Sequence, residues 1–310
     1  MSLLALAFPI ARTLKLPISR DQAMLLMLAV NELFLGVDTY LAHSLSGTLR
    51  PYEWIPIYFG PIAGVLLALA GLLALRQRAF ASLLATLVFV ASAAVGVLGA
   101  YFHIVRTVLP DAPIGAQVTL DLFVLAPPVL GPLAFALVGL LGVSAAWVED
   151  PVDSGVLVLP GGIRLRLPYP KTNAYVFSVS MGILVALVSS VLDHARAGFE
   201  TPWLWLPTCV GVFALVVSAL LGMLSQPTRL DVITYMGAMV LLILVGGIGA
   251  ILHVESDVGL QNTLIAERFL RGAPFMAPLL FCNMGLLGLI AVLDPVERAS
   301  AGGPVQPERS

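Results

Sequence analysis

With 310 residues, 59% of them hydrophobic and only 11% charged, and a mean hydropathy of +0.99, this chain is too apolar for a water-soluble domain, where about 25% of residues carry charge. It reads as an integral membrane protein whose first partner is the lipid bilayer. A net charge of −2 excludes the basic surface that a nucleic-acid partner requires.

Crossing the roughly 30 Å hydrocarbon core takes about 20 apolar residues in a helix. Residues 1–22 fall short of that. Their apolar run "SLLALAFPIA" precedes Arg12, Lys15 and Arg20, whereas a cleaved signal puts its positive charges first, so the expectation is an N-terminal interfacial segment. Eight span-length apolar segments follow, near 23–45, 55–75, 80–105, 120–147, 173–194, 203–224, 231–253 and 272–293. Such long runs exclude a β-barrel, whose strands alternate polar and apolar residues. Residues 149–172, "EDPVDSGVLVLPGGIRLRLPYPKT", are rich in Gly and Pro and alternate at "IRLRL" like a short strand, which marks a linker. Residues 296–310 form a C-terminal tail. Cys209 and Cys282 lie in apolar segments without C-x-x-C spacing and read as packing residues.

Lysine and arginine set the orientation. With eight spans, one side receives 11 basic residues, from Arg12 through Arg78, Arg166, Lys171 and Arg229 to Arg309, and the other side receives five. The expected location is a bacterial inner membrane with both termini cytoplasmic.

The chain also resembles itself. "WIP" at Trp54 returns as "WLP" at Trp205, Gly71 as Gly222, Arg78 as Arg229 and His43 as His194, all 151 positions on. "GAYFH" from Gly99 returns as "GAILH" from Gly249 at 150, and later pairs, such as "GLLG" at Gly139 and Gly285, return at 144–147. The expected fold is therefore an all-α polytopic membrane protein of eight transmembrane helices, built as two tandem, parallel four-helix bundle repeats over 23–148 and 173–295.

All four histidines fall on matched positions. His43 and His194 end the first helix of each repeat, and His103 and His253 end the third, so each pair lies at one depth near the non-cytoplasmic side. Gly96 and Gly99 precede His103 by seven and four residues, and Gly246 and Gly249 precede His253 in the same way, which clears the histidine's own helical face. Such a face either lets another helix approach closely or makes room for a planar ring. A bis-histidine haem b in each bundle follows from the second alternative, with His43, His103, His194 and His253 as metal ligands and the four glycines as cofactor-binding positions. Helix packing and interfacial polarity are the plainer alternative. A third is another metal held by two histidines with Asp121 or Glu267.

Glu32 lies about ten residues into the first span, where an ionisable group is costly and marks a functional candidate. Glu32 and His43 share a helical face, and Ile183 stands at the matching position of the second repeat. Glu32 is therefore a candidate proton acceptor near a quinol site, or a neutral hydrogen-bonding group between helices. Asp38, matched by Ser189, lies nearer the surface. Glu267, Arg268 and Arg271 give the last span a charged outer end.

Two consecutive four-helix bundles opened by "NELFLG", Asn31 to Gly36, resemble the NrfD/PsrC-type membrane subunits of bacterial respiratory complexes. That resemblance implies a respiratory redox membrane and quinone handling. Those subunits work without haem, so the paired histidines depart from their pattern, and no site residue is carried over. The expected function is a b-type cytochrome-like electron-transfer subunit that exchanges electrons between quinol and a periplasmic redox protein within a membrane complex, rather than a self-sufficient enzyme. Two alternatives stand beside it: a haem-free anchor or quinone-site subunit, and a small-solute transporter.

Overall fold

A computed structural model describes residues 3–10, 18–74, 76–108, 130–196, 198–258 and 275–293, apart from 46–48. The protein is mostly helical: α1 Leu3–Ala7, α2 Arg20–Leu45, α3 Trp54–Leu73, α4 Arg78–Val108, α5 Leu130–Ala146, α6 Lys171–Arg196, α7 Leu206–Met223, α8 Arg229–Val258 and α9 Met276–Ala291. Six of them, α2, α3, α4, α6, α7 and α8, are long and apolar enough to cross a membrane. The other two apolar helices, α5 and α9, have 17 and 16 residues, about 25 Å each. Segments 109–129 and 259–274, with Asp121, Glu267, Arg268 and Arg271, lie outside the described residues, as does the tail from 294.

The helices bury one face and present apolar side chains on the other. Along α2, Met24, Leu25, Leu28, Ala29 and Glu32 are buried, while Val30, Phe34, Val37 and Tyr40 are exposed. Leu69 and Leu72 on α3, Leu83 and Leu87 on α4, and Ile248 and Ile251 on α8 are exposed in the same way. An exterior of large apolar side chains over helices whose backbone bonds are internally satisfied is what hydrocarbon demands. The protein is a helical membrane protein.

Packing runs in sequence order. α2 lies on α3, α3 on α4 and α4 on α5; α6 lies on α7, α7 on α8 and α8 on α9. The sets are joined where α5 packs on α6 and α9 on α2. The linker folds as an antiparallel three-stranded sheet, β1 Val148–Glu149, β2 Val156–Val158 and β3 Arg164–Arg166, with Leu157 opposite Leu165. The strand expected at "IRLRL" is β3.

The described part of the N-terminal segment docks on the helices. Leu4 N donates to the Val292 carbonyl and Arg229 Nε to the Ala7 carbonyl, both at 3.0 Å, and Ala5 and Ala7 are buried. Five residues of helix cannot hold their own structure in water, so the contacts to α8 and α9 hold α1.

A buried ionic clasp ties α2 to α6 at the linker end. Lys171 Nζ donates to Asp21 Oδ2 and to the Trp147 carbonyl, each at 2.5 Å, and Tyr175 Oη donates to Asp21 Oδ1 at 3.0 Å. Arg20 Nη1 donates to Thr172 Oγ1 at 2.6 Å, its Nε lies 3.4 Å from Asp21 Oδ1, and Arg78 approaches the same carboxylate at 3.9 Å. The rings and cations also stack, with Arg20 4.9 Å and Lys171 5.5 Å from the Tyr175 ring centre.

Candidate functional site

At the end of α2 and α4 away from the clasp, His43 and His103 come together. Their ring centres are 6.0 Å apart with 67° between the planes. Both line a cavity of about 110 Å³ between α2, α3, α4 and α5. Asp38 and Thr39 add polar groups from α2. Tyr52 and Glu53 come from the 3-10 turn Pro51–Glu53 that leads into α3. Glu53 is only 4% exposed and accepts a bond from Arg50 N at 3.0 Å, while Tyr52 stacks on Phe102 at 4.7 Å. Leu35, Val95 and Phe135 close the inner end with apolar surface. The arrangement suits a small ring whose polar edge meets imidazole and carboxylate and whose faces meet hydrocarbon.

The other two histidines reach the same end of the molecule in different company. His194 on α6 meets the Phe199 ring at 6.0 Å, and Phe199 stacks on Trp205 at 4.3 Å. His253 on α8 lies within electrostatic reach of His194, and Asp193 within reach of Asp38 across the two helix sets. Trp203 and Leu204 occupy the positions matched to Tyr52 and Glu53, so the turn at this end is aromatic and apolar where the first carries a carboxylate, and the acids here, Asp193 and the buried Asp257, come from α6 and α8.

The cleared helical faces are filled by helix. A Cβ at Gly96 would strike the backbone nitrogen of Ala136 on α5, and a Cβ at Gly246 the backbone nitrogen of Cys282 on α9. One turn on, a Cβ added at Gly99 would lie 2.8 Å from Pro132 Cβ, and one at Gly249 2.9 Å from Pro278 Cβ. Of the two uses expected for these four glycines, a slot for a planar ring or a helix seam, the neighbouring atoms are those of a close helix approach. Gly99 alone also borders the cavity. Gly36, about two turns before His43 on α2, is likewise closed, by Pro61 of α3.

A haem between His43 and His103 meets two tests of opposite outcome. Metal–nitrogen bonds of about 2.0–2.1 Å place two ligating imidazole centres about 6 Å apart, which the 6.0 Å spacing matches. The room does not match. A cavity of about 150 Å³ takes one benzene ring, so 110 Å³ is on the scale of a single ring, and a porphyrin joins four pyrroles. Among the described residues no three His, Cys, Asp or Glu side chains form a metal-holding group. Cys209 and Cys282 are free thiols.

Glu32 is fully buried one turn below the cavity floor. Ser92 Oγ on α4 lies 2.5 Å from its Oε1 and 2.9 Å from the Phe135 carbonyl oxygen of α5. Sequence reasoning placed Glu32 and missed Ser92. The available signal was a serine in the middle of an apolar span whose match in the second half, Leu242, is apolar. It also missed Glu53, Tyr52 and the clasp, which depend on contacts far apart in the chain. No family profile, curated protein or solved structure matches this chain.

Proposed function

We propose that this protein is a redox subunit of a bacterial inner membrane, with eight spans in two parallel four-helix units, and that the His43–His103 cavity of the first unit binds the ring of a quinol. The observation that carries this reading is the convergence of two imidazoles, Asp38, Glu53 and Tyr52 on an apolar space of single-ring size. Quinol oxidation releases two protons and two electrons. The imidazoles and carboxylates are the proton acceptors at the ring's oxygens, and the electrons pass to a redox partner on the outer side. The respiratory resemblance points to the same substrate class.

The two-unit arrangement has its own support. The fourth helix of each set packs on the first helix of the other, and Arg20 bonds Thr172 while its counterpart Lys171 bonds Asp21, the counterpart of Thr172. Exchange of partners between equivalent positions is the mark of a two-fold relation. In this reading α5 and α9 complete the count of eight, and the bias of 11 basic residues against five puts the linker sheet in the cytoplasm.

The test is titration of the purified full chain with a short-chain quinone, followed by ligand-dependent quenching of intrinsic fluorescence. His43→Ala and His103→Ala are expected to weaken binding at least about tenfold, the loss of a buried hydrogen bond of about 1.5 kcal/mol, while His253→Ala leaves it unchanged. Equal effects at His103 and His253 would remove the first-unit assignment.

The 6.0 Å imidazole spacing favours a second reading, a b-type haem on His43 and His103. A reduced-minus-oxidised visible spectrum decides between them: an α-band abolished by either substitution would establish the haem and displace the quinol.

A further inference from the structure

We infer that Glu32 and Ser92 form a proton-holding site in the membrane interior of the first unit, with Glu32 carrying the proton. Three oxygens lie in a row: Glu32 Oε1, Ser92 Oγ at 2.5 Å, and the Phe135 carbonyl oxygen at 2.9 Å from that hydroxyl. The serine has one hydrogen and the carbonyl has none. With an ionised Glu32 the single serine hydrogen would be shared between two acceptors; both contacts become full hydrogen bonds when the carboxyl group supplies a second hydrogen, Glu32 donating to Ser92 and Ser92 to Phe135. Both side chains are 0% exposed, and a carboxylate there would carry an uncompensated charge in hydrocarbon.

The second half of the chain provides the internal comparison. Ile183 stands at the position of Glu32 and Leu242 at that of Ser92, both also 0% exposed, and Phe281 at 2% matches Phe135 at 2%. The equivalent buried positions are therefore filled by purely apolar side chains, so burial there does not require the polar pair. Replacing both partners of a buried hydrogen-bonded pair by apolar groups of the same shape can be neutral or stabilising, and the role assigned to Glu32 in this proposal is therefore proton binding. Its second oxygen, Oε2, is buried without a hydrogen-bond partner among the described residues.

The site lies one helical turn beneath the cavity. Leu35 and Val95, three residues after Glu32 and Ser92 on their helices, line the cavity together with Phe135. Of the acids and bases on the surrounding elements, Arg20, Asp21 and Arg78 belong to the clasp at the other end, while Asp38 and His43 on α2, Glu53 before α3 and His103 on α4 line the cavity, and α5 brings none. In this proposal the cavity, one turn away, is the nearest source and acceptor of the proton on Glu32. This holds whichever ring the cavity binds, so quinone titration and the following test fail independently.

Infrared spectroscopy of the purified full chain reads the carboxyl directly. The wild type is expected to show a protonated-carboxyl C=O band that Glu32→Gln removes completely, that Ser92→Ala displaces, and that shifts after transfer to D2O. Identical acid-carbonyl absorption in wild type and Glu32→Gln would show an ionised Glu32 and overturn the inference. A band that never shifts in D2O would do the same, since a sealed proton has only a structural role. As a control for folding, the second unit's residues are transplanted as Glu32→Ile, Ser92→Leu and Phe59→Val, the last matching Val210. This variant is expected to lose the band and melt no lower than wild type, and its failure to fold would mark the polar pair as a structural element.

Discussion

Replacing Asp21 with alanine is expected to destabilise the folded protein by about 3–5 kcal/mol, the effect of stripping one partner from a buried ion pair. Asp21 is the common anion of the clasp, meeting Lys171 at 2.5 Å, Arg20 at 3.4 Å and Arg78 at 3.9 Å. Lys171 and Arg20 are 0% and 1% exposed. Without the carboxylate, Lys171 keeps one carbonyl and the face of Tyr175, and Arg20 keeps Thr172 and the same ring. Two cations would then share a site with little access to water. Thr172→Ala removes a neutral acceptor from Arg20 and is expected to lose only about 1.5–3 kcal/mol. Thermal melts in one detergent compare the two, and equal melting temperatures for Asp21→Ala and wild type would show that the clasp does not hold the two helix sets together.

The second large effect is expected at the glycines. Gly96→Leu and Gly246→Leu each drive a side chain into the backbone of the adjoining helix, at Ala136 and Cys282. A rotamer change relieves a collision with a flexible side chain but not one with a main-chain nitrogen. Overpacking of a core usually destabilises by about 1–3 kcal/mol, and these substitutions belong at or above the top of that range, with lost folded yield. Gly237→Leu on α8 is the control, because nothing lies within 4 Å of a Cβ there and the residue is exposed. Folded yield by size exclusion, together with the melting temperature, measures all three. A Gly96→Leu variant as stable as Gly237→Leu would overturn the close α4–α5 approach. Similar losses at Gly96 and Gly246 are the further expectation of two equivalent units.

The histidines, the glycines and Glu32 all stand out along the amino-acid chain, because each breaks an apolar pattern. Their surroundings do not. "GAYFH" and "GAILH" are compatible with a ring slot and with a helix seam, since both need the same missing side chains. The distinction rests on where Ala136 and Cys282 arrive, some 40 residues further along the chain. Ser92 was invisible for a related reason: a serine within an apolar helix bonds its own backbone as readily as a neighbour, and only the crossing of α2 and α4 brings it to Glu32. The short helix α1 is a further case: its composition suits a lipid interface, and the bonds of its backbone to Arg229 and Val292 were not legible in that composition.

The sequence by itself determined that the chain belongs in a membrane, where most of its helices begin and end, and which rare polar residues lie along them. Those properties follow from local composition, because hydrocarbon requires every span to satisfy its own backbone and to be apolar over its length. Tertiary structure decided that the glycine faces admit helices, that His43 and His103 share a single-ring cavity, and that Asp21 binds Lys171 across 150 residues. These depend on packing between helices, and hydropathy carries no record of which helix meets which.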